Sequence, residues 1–138
     1  MIHLDTNATI ALLNQRAPRV RENLDASLAI GIPLFLSAIV FHELLYGAAY
    51  SGRREANENK IALFIAMARV TVLPFTDAEA RDAADIRAHL RRLAAPIGTL
   101  EVLIAAQARR AGALLVTANL REFRRVPGLS VVDWQEAQ

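Results

Sequence analysis

The stretch that decides the fold is MIHLDTNATIALL, residues 1–13. The run from Met1 to Asp5 is short and apolar and stops at an acid, which predicts a buried strand that ends at Asp5. Thr6 and Asn7 have side-chain oxygens that can cap a helix, and the apolar spacing after them is typical of one. The sequence therefore predicts a strand followed directly by a helix, with a carboxylate at the junction.

Segments of strand and helix character alternate along the rest of the chain. Strands are predicted at 34–36, 70–73, 114–117 and 130–132, and helices at 18–31, 38–50, 53–69, 76–93, 99–111 and, as a short helix or turn, 119–125. Thr76 and Glu79 predict a capping box. Strands separated by helices imply parallel pairing through crossover connections. We therefore expect an α/β fold, a three-layer α/β/α sandwich with a mostly parallel central sheet, as a single domain over residues 1–138.

The composition favours this architecture and excludes several classes of protein. Hydrophobic residues make up 54% of the chain but aromatic residues only 6%, which suits helices packed on an aliphatic sheet. There is no cysteine, which excludes disulfides and Cys-ligated zinc. The start of the chain does not resemble a signal peptide, and no apolar run approaches the ~20 residues needed to cross a bilayer. We expect a soluble cytoplasmic protein.

The charged residues are skewed toward arginine. The net charge is only +2, yet every basic residue except Lys60 is Arg. The guanidinium fork matches phosphate oxygens in two-point geometry, so the bias is compatible with a nucleic-acid partner. A GC-rich genome, which favours Arg codons, would produce the same bias, so charge alone does not identify a polyanion-binding protein.

Four polar residues fall where an α/β sheet binds ligands or where an acid is costly. Asp5 and Asn119 follow predicted strands, and ligands bind at the carboxyl ends of such strands. Glu43 and Glu101 lie in apolar helical segments, where an acid is costly unless it is paired or bound to a metal. A cluster of carboxylates needs a cation, and oxygen ligands favour hard ions such as Mg²⁺ or Mn²⁺.

Each acid also has a purely structural explanation. Asp5 can serve as a helix N-cap, Glu43 can pair with an arginine, and Glu101 can favour a helix N-terminus through its charge. From the residues alone, both the metal site and these structural roles stay open. A Gly-rich phosphate loop, a nucleophile elbow and a closely spaced His pair are all missing from the sequence, which argues against the chemistries that need them.

Four motifs in order resemble one family. LDTN (4–7), SAIVFHELLYG (37–47), PIGTLEVLIAAQA (96–108) and VTANLREFRRVPGLSVVDW (116–134) together look like a PIN-domain ribonuclease toxin of the VapC type, the toxin half of a bacterial toxin–antitoxin pair. The resemblance covers nearly the whole chain. LDTN alone is a weak signal, whereas four collinear motifs at the right separations are a strong one.

The resemblance implies a PIN-like fold and an endoribonuclease that depends on Mg²⁺ or Mn²⁺. The implied catalytic residues are Asp5, Glu43, Glu101 and Asn119. Asp5 and Glu101 would hold the metal, and Glu43 would complete the cluster directly or through water. Glu43 as the base that accepts a proton from the attacking water is an equally open role.

Several further residues acquire supporting roles from the same resemblance. Either Thr6 or Thr117 would orient Asp5 or a water, and Glu122 is a further acid near Asn119. The Arg-rich stretch would meet RNA phosphate through Arg121, Arg124 and Arg125.

One residue departs from the family pattern. The family most often has Asp at the position of Glu101, and the extra methylene moves the carboxylate by ~1.5 Å. The alternative function is therefore a catalytically impaired PIN-like module that acts through antitoxin binding and operon autoregulation. A third hypothesis is a phosphohydrolase with Asp5 as nucleophile, although such enzymes usually have a second acid where this chain has Asn7.

The resemblance also implies partners. We expect a VapB-like antitoxin, an RNA substrate, a homodimer, and DNA contacts made only through the antitoxin. The apolar stretches 44–49 and 61–67 are candidate contact surfaces, although at least half of their residues are expected to be core.

Overall fold

The computed structural model describes residues 1–136, in which strands and helices alternate. The strands are β1 (Ile2–Leu4), β2 (Leu34–Ser37), β3 (Thr71–Leu73), β4 (Leu114–Val116) and β5 (Ser130–Val132). The helices are α1 (Thr6–Leu13), α2 (Pro18–Ala29), α3 (Ala38–Tyr50), α4 (Arg54–Met67), α5 (Asp77–Arg92), α6 (Thr99–Arg110) and α7 (Leu120–Phe123). Every predicted element is therefore present, and its bounds either coincide with the prediction or differ by at most two residues at each end.

The central sheet has the order β3-β2-β1-β4-β5, and all of its pairings are parallel. The chain adds β2 and β3 on one side of β1 and then crosses back to place β4 and β5 on the other. Right-handed crossovers running in opposite directions put their helices on opposite faces of the sheet. The expected three-layer α/β/α sandwich is confirmed, and its topological switch point lies between β1 and β4.

The core is aliphatic, as the composition predicts. Leu36 in β2 and Leu115 in β4 are fully buried, and so is Val40 in α3. Helix α6 lies against them through small side chains, because Ala105 and Ala106 are fully buried as well. In residues 1–136 no helix is both long and apolar enough to cross a membrane.

The start of α1 differs from the prediction in a way that matters for the site. The N-cap is Asp5, whose Oδ1 accepts a hydrogen bond from the backbone N–H of Ala8 at 2.8 Å. Thr6 and Asn7, predicted as caps, lie inside the first turn of the helix instead. Asp5 keeps the extended conformation of the strand, so the helix begins directly after it, and Asp is among the strongest N-cap residues.

Helix α4 is shorter than predicted, whereas the capping box of α5 is confirmed. Arg69 has a φ of +52°, which ends the helical path before the predicted last residue. Strand β3 accordingly begins at Thr71. At the start of α5, the backbone N–H of Thr76 donates to Oε2 of Glu79 at 3.2 Å.

The two apolar stretches offered as partner contacts are divided between core and surface. Leu44, Ala48 and Ile61 are buried. The exposed large hydrophobic side chains on α3 and α4 are Tyr46, Tyr50, Leu63 and Met67.

Candidate active site

A small cavity of about 70 Å³ lies at the carboxyl edge of the sheet. It contains the four residues predicted to be catalytic, which come from four different elements. Its lining residues are Asp5, Thr6, Asn7, Glu43, Glu101, Ile104, Asn119 and Phe123. The fold therefore brings together, beside the switch point of the sheet, three carboxylates and one amide that are far apart in the sequence.

Asp5 is a buried carboxylate at the end of β1. Only 5% of the residue is exposed, and both carboxylate oxygens are bonded: Oδ1 accepts from the Ala8 N–H, and Oδ2 accepts from the Thr117 hydroxyl at 2.5 Å. Burial raises the pKa of Asp5, and the charges of Glu101 and Glu43 raise it further against the two hydrogen bonds. The charged form of Asp5 is therefore disfavoured until a positive charge is nearby.

Glu43 extends from the middle of α3 and is half-buried. Its Oε1 accepts a hydrogen bond from the hydroxyl of Thr6 at 2.6 Å. The family resemblance implied that Thr6 or Thr117 orients Asp5 or a water. In the structure the two threonines serve different acids, because Thr117 bonds to Asp5 and Thr6 bonds to Glu43.

Glu101 lies in the first turn of α6 and is also half-buried. Its carboxylate folds back against the Cα of Gly98, the N-cap of the helix. Of the two neighbouring acids, Glu101 has the larger effect on the pKa of Asp5. The charge of Glu101 therefore acts more strongly on Asp5 than the charge of Glu43 does.

Asn119 is held at the start of α7 by two hydrogen bonds. Its backbone N–H donates to the Thr117 hydroxyl oxygen at 2.9 Å, and its side-chain Nδ2 donates to Oε2 of Glu122 at 2.8 Å. An ionised carboxylate only accepts hydrogen bonds, so Glu122 fixes which end of the amide faces it. The amide oxygen of Asn119 is therefore left available to the cavity. Asp5, Thr117, Asn119 and Glu122 form one continuous hydrogen-bonded chain.

The three carboxylates line one cavity but do not converge on a single position. Among residues 1–136, no three acidic, His or Cys side chains lie close enough to form a preassembled metal-binding group. Asp5 is held by Thr117, Glu43 by Thr6, and Glu101 lies against Gly98. Like charges repel, and each carboxylate keeps its own partner. The donor set, carboxylate and amide oxygens around a buried acid whose pKa is raised, fits a hard divalent cation such as Mg²⁺ or Mn²⁺.

The apolar floor of the cavity was not predicted. Phe123 and Ile104, which are 1% and 2% exposed, close it from below. Ile104 lies one helical turn after Glu101, so helical spacing was a signal that could have identified it. Such a floor keeps bulk water away from the acids and strengthens their interaction with a cation.

The three predicted RNA-contacting arginines occupy two kinds of position. Arg121 and Arg124 are exposed on and just after α7. Arg125 is half-buried, and its guanidinium donates to the backbone carbonyl of Pro96 at 3.0 Å. Arg125 therefore ties the end of α7 to the loop before α6.

Larger cavities lie elsewhere in the fold. One of about 210 Å³ lies between α1, α3 and α4, and one of about 340 Å³ lies beside the junction of α5 and α6. Neither contains an acidic side chain. A cavity of about 280 Å³ between α1, α2 and α4 is lined by one acid, Asp25. The small cavity at the sheet edge gathers three carboxylates, so we assign the chemistry there.

Comparison with known proteins gives the same family over almost the whole chain. The PIN domain model matches residues 2–129. The tRNA(fMet)-specific endonuclease VapC of Shigella flexneri is 37% identical over 131 residues, which are 95% of this chain and 96% of that protein. Ribonuclease VapC2 of Rickettsia felis is 32% identical over 133 residues, 96% of this chain and 97% of that protein.

Solved structures agree with the sequence relatives. The crystal structure of VapBC2 from Rickettsia felis bound to a DNA fragment of its promoter has a chain that superposes with a TM-score of 0.89 at 31% identity, covering 97% of this chain and 99% of that one. The DNA-bound VapBC of Salmonella typhimurium gives a TM-score of 0.87 at 34% identity, covering 96% and 97%. The similarity thus extends over both the fold and the length of the chain.

Proposed function

This chain belongs to the PIN-domain family, and we propose that it is a metal-dependent endoribonuclease that acts as the toxin of a toxin–antitoxin pair. The observation that carries the proposal is the convergence of Asp5, Glu43, Glu101 and Asn119 on one small cavity. Relatives that match over almost their whole length are named as ribonucleases.

The proposed metal ligands are Asp5 and Glu101. Burial is the main cause of the raised pKa of Asp5, and the charge of Glu101 adds to it, so a cation between these two acids would stabilise both carboxylates in their charged forms. The free amide oxygen of Asn119 and the carboxylate of Glu43 would complete the site directly or through water. When bound, Mg²⁺ or Mn²⁺ would polarise the phosphoryl oxygen, make a water more acidic and stabilise the leaving 3′ oxygen.

The neighbouring side chains would keep these ligands in place. Thr117 holds one oxygen of Asp5, and the Ala8 N–H holds the other, so the carboxylate plane is fixed. Glu122 fixes the amide of Asn119 with its oxygen available to the cavity. Metal catalysis depends on the position of the metal ligands to within fractions of an ångström. These hydrogen bonds would therefore support both metal binding and turnover.

We propose that Glu43 is the base that accepts a proton from the attacking water. Glu43 lines the same cavity as Asp5 and Glu101, and its charge contributes less than that of Glu101 to the raised pKa of Asp5. The Thr6 hydroxyl occupies one of its oxygens and leaves the other free to accept a proton. A carboxylate beside the attacking water, rather than between the metal ligands, is suited to act as a base.

RNA would approach over α7. Arg121 and Arg124 are exposed on the element that also bears Asn119, so their guanidinium groups can bind phosphates next to the scissile bond. Arg125 contributes by holding the loop before α6, since its guanidinium is bonded to Pro96.

The proposed protein partner is a VapB-like antitoxin, with a homodimer of this chain as the assembling unit. The similar structures from Rickettsia felis and Salmonella typhimurium are VapBC complexes bound to DNA. The exposed apolar side chains of α3 and α4, which include Tyr50 and Met67, are candidate contacts for these partners. DNA would be contacted through the antitoxin.

The proposal is tested by RNA cleavage with the purified antitoxin-free chain. Total RNA and tRNA(fMet), the RNA in the name of one relative, are incubated with Mg²⁺, with Mn²⁺ and with chelator. We expect discrete fragments that disappear with chelator and with Asp5→Asn, a variant that retains an N-cap oxygen. Undiminished cleavage by Asp5→Asn or in chelator would contradict the proposal.

The alternative, a PIN-like module without turnover, has its own signature. A folded chain that cleaves no RNA at any Mn²⁺ concentration, also after Glu101→Asp, and that still binds its antitoxin without metal would support it. Cleavage regained only in Glu101→Asp would instead locate the defect in the extra methylene of the glutamate.

A further inference from the structure

Gly98 is a glycine that its own backbone does not require. It precedes α6 as the N-cap, with φ of −57° and ψ of 148°, a conformation open to any residue. It forms no side-chain cap, although glycine itself is among the residues preferred at an N-cap. The N-cap position thus favours glycine without requiring it, and a separate reason for glycine lies in what occupies the space beside its Cα.

That space is occupied by the carboxylate of Glu101. A Cβ built on Gly98 would overlap Oε2 of Glu101 and lie 2.8 Å from its Cδ, and the three nearest atoms all belong to Glu101. The colliding group is the end of a flexible side chain, not backbone. A methyl at position 98 would therefore displace the carboxylate while leaving the fold intact.

The displaced group is the acid with the extra methylene. A glutamate that extends fully from α6 reaches ~1.5 Å further than an aspartate, and the cavity that it shares with Asp5 and Glu43 is only about 70 Å³. Because the side chain of Glu101 folds back over Gly98, its additional length does not project into the cavity. Its carboxylate remains among the groups that line the cavity.

We propose that Gly98 is a positioning residue for Glu101, which makes room for a glutamate to serve where a shorter acid would otherwise be needed. The inference rests on the proposed function, because it takes Glu101 as a metal ligand. It predicts a dependence of one residue on the other: Gly98 matters only while residue 101 is a glutamate.

A double-mutant cycle on the antitoxin-free chain tests this dependence. The four proteins are the wild type, Gly98→Ala, Glu101→Asp and the double variant, and the readouts are the Mn²⁺ dissociation constant and the unfolding midpoint. Gly98→Ala should weaken Mn²⁺ binding by about tenfold, the lower range for a residue that supports a metal ligand. The unfolding midpoint should fall only slightly, and by the same amount in both backgrounds, because Ala is a poorer N-cap than Gly. In the Glu101→Asp background the same change should alter affinity less than about twofold, because the shorter side chain does not reach position 98.

Gly52→Ala is the matched control, since a Cβ at that glycine meets nothing within 4 Å. Equal losses of affinity in both backgrounds, or unchanged or tighter binding in Gly98→Ala, would overturn the positioning role and leave the proposed function standing. A wild type that binds no Mn²⁺ would instead overturn the proposed function, and the positioning role with it.

Discussion

The hydroxyl of Thr117 donates a hydrogen bond to Oδ2 of Asp5 at 2.5 Å, joining residues that are 112 positions apart. The contact exists because β1 and β4 are neighbours in register, with Leu4 opposite Val116. The Thr117 oxygen already accepts the N–H of Asn119, so its own proton is directed at Asp5. This hydroxyl thereby helps to hold the central acid in place and lowers its pKa against the effect of burial.

Replacing Thr117 with Val should remove the hydrogen bond to Asp5 with little change in side-chain volume. The hydrogen bond lowers the pKa of Asp5, so without it that pKa rises further and the acid limb of the pH–rate profile moves to higher pH. We expect kcat/KM for RNA cleavage at neutral pH to fall by about tenfold, and Thr117→Ser to stay near wild type. A Thr117→Val profile that superposes on the wild type would contradict the role.

Glu43→Gln separates the two roles that remain for this acid. As the proton acceptor, Glu43 contributes to turnover more than to metal binding. We therefore expect kcat to fall by roughly 10²-fold or more while Mn²⁺ affinity stays within about threefold of wild type. Thr6→Val, which removes the hydroxyl bonded to Glu43, should give a smaller loss of the same kind. A loss of affinity as large as the loss of turnover would make Glu43 a ligand instead.

The arginines after Asn119 should differ in what they affect. Arg121→Ala and Arg124→Ala should each weaken RNA binding and lower the slope of log K against log salt by about one, because each removes a phosphate contact. Arg125→Ala should mainly lower the unfolding midpoint, since it removes the bond to Pro96. Filter binding across a salt series and thermal unfolding measure the two effects. An unchanged slope in both exposed-arginine variants would place the RNA elsewhere.

His3 predicts how stability depends on pH. The residue is 1% exposed, neither ring nitrogen has a hydrogen-bond partner among the described residues, and burial lowers its pKa to about 4. Below pH 6.5, the ordinary pKa of histidine, His3 becomes protonated in the unfolded chain but stays neutral in the native state. The free energy of unfolding therefore falls as the pH falls from 6.5 to about 4. The loss amounts to at most about 3 kcal/mol.

Comparison with His3→Leu isolates this contribution. Asp5, whose native pKa is raised, favours folding at low pH and opposes the trend, but it is present in both proteins. Denaturant unfolding between pH 4 and 7 should show a shallower pH dependence in His3→Leu than in the wild type. Identical dependence in the two proteins would mean that His3 is protonated in the native state or does not control stability.

Local sequence patterns predicted the scaffold and singled out the residues now proposed for the site. Strand and helix periodicities gave every element because the core is aliphatic and regularly spaced. Asp5 and Asn119 stood out because a polar residue directly after a buried strand marks the ligand-binding edge of a parallel sheet. The cap of α1 was misplaced by one residue, since three successive residues, Asp5, Thr6 and Asn7, can all serve as caps.

The remaining features depend on contacts that no local pattern encodes. The convergence of Glu43 and Glu101 on Asp5 follows from how α3 and α6 pack on the sheet. The residues alone indicated that both acids were unusual but left a metal site and purely structural roles equally open. The different partners of Thr6 and Thr117 are fixed by rotamers across element boundaries. The fit of Glu101 against Gly98 is a steric relationship that becomes visible only in three dimensions.

The most direct test of the central claim is a calorimetric titration of Mn²⁺ into the antitoxin-free wild type and into Asp5→Asn, with the unfolding midpoint of each. The carboxylate cluster predicts binding by the wild type and its loss in the variant. It also predicts an equal or higher midpoint for Asp5→Asn, because the variant no longer buries a charge while it keeps an N-cap oxygen. Equal Mn²⁺ affinity in two folded proteins would contradict the assignment of Asp5 as the central metal ligand.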